Sequence, residues 1–145
     1  MEIQLISLNV ARDGVALAVP KEFFGYRSLD EAERVQGDSG RSLIRFGIIG
    51  MSTSVYLDES SGRVLSGVDS RELDMVNTTV SRFTQCAIRL AEIFPFYEEG
   101  SDVDEWEAGA QRVEDVVREV DPEAYREGAY WYEFRWDVSM GEFYE

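Results

Sequence analysis

The stretch LIRFGIIGMSTSVYLDESSGRVLSGV at residues 43–68 decides the fold class. LIRFGIIG at 43–50, SVYLD at 54–58 and RVLSGV at 63–68 are short apolar runs, each bounded by turn residues. Asp58-Glu59-Ser60-Ser61-Gly62 has the composition of a hairpin loop closing on glycine,. Runs this short with turns between them predict an antiparallel meander. LDMV at 73–76 offers a further strand.

Downstream, the period changes from strand to helix. Val80, Phe83, Ala87, Leu90 and Phe94 recur at spacings of three and four, which places one apolar stripe on a helix facing the sheet,. Asn77 and the threonines after it supply oxygens for the unpaired N–H groups of its first turn, and Pro95 stops it,. Cys86 lies beside the stripe and reads as a small buried hydrophobe. A second helix fits 103–119, with Val103, Trp106, Ala110, Val113, Val117 and Val120 as its apolar face and Asp102, Asp104, Glu105 and Glu107 crowding its positive end,. Asp121-Pro122 pairs a capping residue with proline at a first helical position, which predicts a third helix starting there,. YWYEFRWDV at 130–138 fits strand alternation and a helical face equally.

Upstream, the pattern weakens. Ile3 and Leu5 alternate as in a strand, while Ile3, Ile6 and Val10 suit a helix. Arg12-Asp13-Gly14 is a turn signal, and Phe23 and Phe24 follow Pro20 as anchors on the core,. EAERVQGDSGRS at 31–42 is polar, carries two glycines and predicts a loop.

The series formed by LAVPKEFF at 17–24, RFGIIG at 45–50, VYLDESSGRVL at 55–65 and MVNTTVSRF at 75–83, followed by Asp121-Pro122-Glu123-Ala124, Trp131 and Gly141, resembles the SUKH superfamily, most closely its fourth subfamily of bacterial immunity proteins. The likeness covers nearly the whole chain and lies in the order of the motifs. Met51-Ser52-Thr53 departs from the small residues and glycines usual there. The resemblance implies an α+β fold, a twisted antiparallel sheet flanked by helices, as a single domain over 1–145. It also implies a protein that binds and neutralises a cognate toxin, often a nuclease or nucleic-acid deaminase, with no catalytic residues to carry over.

Composition narrows the function independently. With 145 residues, 44% hydrophobic and 30% charged, the chain suits one soluble core,. It holds no histidine and one cysteine, which excludes Ser-His-Asp and Cys-His nucleophile systems, imidazole metal sites and internal disulfides,. No Gly-rich phosphate cradle occurs, so no cofactor is expected. No apolar run approaches the ~20 residues of a membrane span, and MEIQLISLNVARDG is unlike a signal peptide. The expected location is the cytoplasm. The net charge of -15 argues against nucleic-acid and anionic-membrane partners,.

That charge is unevenly placed. Residues 1–91 carry 12 acidic and 10 basic side chains; residues 92–145 carry 17 and 4, together with 12 of the 18 aromatics. A segment so rich in aromatics folds, and its negative outer face suits a basic protein. Glu98, Glu99, Asp102, Asp104 and Glu105 form its densest cluster, flanked by Tyr97 and Trp106 as candidate aromatic anchors,. The leading expectation is therefore an inhibitor of a toxin with a basic active-site cleft. The alternatives are an acidic mimic of nucleic acid that blocks a DNA-binding enzyme, and a carboxylate-based hydrolase, for which Asp58 is a candidate ligand better explained as a turn cap. Catalytic, cofactor and metal residues are expected to be absent.

Overall fold

The computed structural model describes residues 1–10 and 16–143. The turn expected at Arg12-Asp13-Gly14 lies outside the described residues. Six strands form one antiparallel sheet in sequence order: β3 (Glu22–Phe23), β4 (Tyr26–Gln36), β5 (Ser42–Ile49), β6 (Thr53–Asp58), β7 (Val64–Gly67) and β8 (Asp74–Asn77). They are preceded by a hairpin of β1 (Leu5–Asn9) and β2 (Ala16–Pro20), which resolves the ambiguous N-terminus as strand. Three helices follow: α1 (Val80–Ile93), α2 (Val103–Val120) and α3 (Tyr130–Ser139). The meander read from residues 43–76 is present, with Leu57 opposite Val64 across the β6–β7 hairpin. Asp58 holds that turn by accepting from the Ser60 N–H at 3.1 Å and from the Ser60 and Ser61 hydroxyls at 3.0 Å.

Strand alternation sends Ile44, Phe46, Val55, Val64 and Val76 to the face covered by the helices,. Phe83 of α1 inserts among Phe23, Tyr26 and Phe46, with ring centroids 5.2–6.0 Å apart. Phe83, Cys86, Ala87 and Leu90 are fully buried, as the stripe predicted, while Phe94 is only half-buried at the helix end. The opposite face of the sheet carries a smaller cluster of Leu43, Tyr56 and Leu65. Leu73, from the connection between β7 and β8, packs on it. Gly67 permits that folding back, because a Cβ there would run into the Glu72 carbonyl oxygen.

Three expectations need correction, and the choice of cap for α1 is narrowed. Residues 31–42 are not a loop: β4 runs to Gln36 and only Asp38–Gly40 forms a short 3-10 turn. Of the eleven residues in β4 only Tyr26 and Ala32 are buried, and the register shifts between Ser28 and Glu33, so apolar alternation never develops,. The helix cap is Thr79, whose hydroxyl accepts from the Arg82 N–H at 3.0 Å; Asn77 ends β8 instead. No α-helix begins at Asp121-Pro122. A 3-10 turn spans Pro122–Ala124, and Asp121 makes no capping bond because its carboxylate turns into the core. Val103, placed on the apolar face of α2, is 65% exposed. The undecided stretch at 130–138 is helical, burying Trp131, Phe134 and Val138.

Candidate functional site

The acidic segment begins where α1 stops. Phe96 and Tyr97 plug the core, and the chain turns through Gly100 at φ +84° into α2. Asp102 caps that helix by accepting from the Glu105 N–H at 3.0 Å, and Asp104 and Glu105 occupy its first turn, where the helix dipole stabilises negative charge,. Glu98, Glu99, Asp102, Asp104 and Glu105 are all exposed. Among the described residues none of these five carboxylates makes an ion pair.

Farther along α2, Glu107, Glu114 and Glu119 are ion-paired, while Asp115 accepts only from the Gln111 side-chain amide at 2.9 Å among the described residues. Arg135 of α3 reaches Glu107 at 2.6 Å and Glu114 at 3.0 Å; Arg118 reaches Glu114 at 2.9 Å, and Arg89 reaches Glu119 at 3.2 Å. Burial alone would raise the Glu114 carboxyl, but hydrogen bonds from Arg118, Arg135 and Tyr125 outweigh it and hold the group below its ordinary range,. Hydrogen bonding to Glu107, then Glu114, raises Arg135 further above its ordinary value. The uncompensated negative charge of α2 therefore concentrates at its N-terminal end.

The two aromatic residues flanking the cluster face inward. Tyr97 is 8% exposed; its hydroxyl donates to the Val138 carbonyl at 2.5 Å and accepts from the Phe143 N–H at 3.0 Å. Trp106 is half-buried with its indole against Gly141, where a Cβ would come within 2.6 Å of the ring. Both rings hold the end of α3 onto the start of α2. Among the described residues the exposed aromatic ring is Trp136, at 57%, with Met140 at 56% one turn farther along. Its exposure was illegible in the sequence, since strand and helix readings of 130–138 send Trp136 to different faces.

A second constellation lies within the core. Asp121 is fully buried and accepts from the Asn77 side-chain amide at 3.0 Å, the Thr78 N–H at 2.8 Å and the Thr78 hydroxyl at 3.0 Å. The Trp131 indole N–H donates to the Asn77 carbonyl oxygen at 2.9 Å. Arg82 approaches the carboxylate from the surface at 3.5 Å. One network thus joins the end of β8, the start of α1, the end of α2 and α3. Each polar group in it is satisfied, which gives it a positioning role in the fold. Cys86 lies against the Asn77 amide, and burial pushes its thiol up to about 12, so the thiolate nucleophile does not form near neutrality,. Among the described residues no three His, Cys, Asp or Glu side chains gather in a geometry that could hold a metal ion, and no helix is long and apolar enough to cross a membrane.

A curled antiparallel sheet backed by three helices defines an α+β protein. The model of the SUKH-4 immunity protein family matches residues 17–137, and the chain belongs to that family. The fold and family expected from the ordered motifs are thereby shown. No curated protein and no solved structure matches the chain.

Proposed function

We propose that this chain neutralises a cognate bacterial toxin by forming a stoichiometric complex, without catalysis, and that the toxin presents a basic cleft of the kind that holds nucleic-acid phosphates. Membership of an immunity-protein family supports a toxin as the partner. The observation that carries the basic cleft is the exposed group of Glu98, Glu99, Asp102, Asp104 and Glu105, which makes no ion pair among the described residues, at one end of the α2–α3 pair. A nuclease or deaminase must bind phosphates through clustered Lys and Arg, and an acidic face meets such a cleft with complementary potential. Steering of this kind speeds encounter by up to ~1000-fold, which suits an antidote that must act before the toxin reaches its target.

The test uses a catalytically inactive form of the toxin encoded beside this chain's gene, with association followed by stopped flow. Glu98, Glu99, Asp104 and Glu105 are changed to Lys; Asp102 is left in place because it caps α2, and losing a cap costs ~1 kcal/mol. A control variant carries Lys at the exposed Glu2, Glu22, Glu31 and Asp74, which changes net charge equally. The first variant should associate at least ~10-fold more slowly at low salt, with the difference shrinking above ~0.15 M, where the screening length is about 8 Å. Equal slowing by both variants would reduce the effect to net charge and remove the local site.

A further inference from the structure

A groove of about 320 Å³ runs between the middle of α2, the turn after Pro122 and α3, lined by Glu114, Arg118, Tyr125, Tyr132, Arg135 and Trp136. Its floor is rigid for a surface feature. Tyr125 and Tyr132 have ring centroids 5.8 Å apart, and the Arg118 guanidinium lies 4.6 Å over the Tyr125 ring. Glu114 holds Arg118 and Arg135 from below, and Arg135 is further fixed by Glu107 at 2.6 Å. Trp136 forms one wall with more than half its surface in water. Helical spacing sets acids along the outer margins: Asp104 and Asp115 on α2, Glu133 and Asp137 on α3, all exposed,. Tyr, Trp and Arg are the residue types that dominate binding energy at protein interfaces, and the lining joins three aromatic rings to two guanidiniums inside that acidic rim,.

We infer that this groove is the anchor point of the complex: it receives a projecting apolar side chain from a partner protein whose surrounding surface is basic. The basic surround follows from the acidic rim. The apolar tip follows from the rings of Tyr125, Tyr132 and Trp136, because Arg118 and Arg135 repel an inserted cation and the acidic rim repels an anion,. The inference rests on the proposed toxin-binding role and adds its anchor. It also replaces Tyr97 and Trp106 as anchors, since both are engaged within the fold.

The same inactive toxin serves as the probe, with dissociation constant and both rate constants measured. Trp136→Ala and Tyr132→Ala should each raise Kd by at least ~10-fold through faster dissociation, with association within about two-fold of wild type. The four-lysine variant should do the reverse, slowing association. Met51→Ala, at a fully exposed residue in the β5–β6 turn, is the apolar control and should leave Kd unchanged. The part of the acrylamide quenching that Trp136→Phe removes, which separates Trp136 from half-buried Trp106 and buried Trp131, should be smaller in the complex than in the free chain. Unchanged Kd and unchanged quenching, with the four-lysine variant still slow, would overturn the groove and leave the toxin-binding role standing. Absence of any wild-type complex would overturn both. A dimer of the chain alone that Trp136→Ala dissolves would overturn the inference by making the groove a contact between copies.

Discussion

Asp121 shows how one residue acquires a role its sequence neighbourhood does not announce. Followed by proline, it has the pattern of a helix cap. Its carboxylate instead accepts three hydrogen bonds from Asn77 and Thr78, more than forty residues upstream. Removing it strands the Thr78 N–H and the Asn77 amide in the core, and each unsatisfied buried group costs ~1–3 kcal/mol. Asp121→Ala should therefore lower unfolding free energy by roughly 3 kcal/mol, measured by urea titration with tryptophan fluorescence as the probe. Asp121→Asn keeps shape and some acceptors and should cost less. A loss below about 0.5 kcal/mol for the alanine variant would show that water replaces the carboxylate without penalty.

At the scale of elements, α1 and α2 were both legible from apolar spacing, but how closely α2 docks was not. Gly109 lies in the middle of α2, where alanine is favoured by ~1 kcal/mol on propensity alone. A Cβ there would stand 2.8 Å from the Phe96 carbonyl oxygen and 2.9 Å from the Tyr97 ring, because the helix presses its backbone onto that segment. Overpacking costs ~1–3 kcal/mol, so close contact outweighs propensity. Gly109→Ala should destabilise, lowering the melting temperature by several degrees for a domain of this size. A rise in melting temperature would mean that the segment after α1 yields freely. β4 is the converse case. The polarity of its second half, from residue 31, predicted a loop, yet backbone pairing with β5 makes it a strand, since main-chain hydrogen bonds need no apolar side chains,.

For the whole molecule, the balance of charge sets the response to acid. Hydrogen bonds from Arg34 and Ser42 hold Glu59 down to about 2, and hydrogen bonding also outweighs burial to lower Asp58 and Glu114. Their unfolded values lie near ~4. Below that value the unfolded chain binds more protons than the native one, so these groups stabilise the fold above about pH 4 and lose that contribution as pH falls toward 2. Stability measured by urea titration should fall across that window. Glu59→Gln removes one of these titrations and should make the fall shallower; parallel curves for variant and wild type would show that Glu59 is not held as the geometry indicates.

The sequence by itself determined what repeats along the chain. Apolar runs at 43–68 made a meander, spacings of three and four from Val80 made a helix, and the crowding of acids after residue 91 made the C-terminal segment negative. The ordered motifs sufficed to expect the family that the chain belongs to. The tertiary structure decided whatever depends on a partner distant in sequence. It turned Asp121 and Asn77 into one buried network, made Tyr97 and Trp106 clamps on α3, and chose helix for 130–138, leaving Trp136 on the surface. The physical reason is that periodicity records which side chains avoid water, whereas hydrogen bonds and ring contacts depend on which elements meet. Those meetings are settled only when the helices close over the sheet.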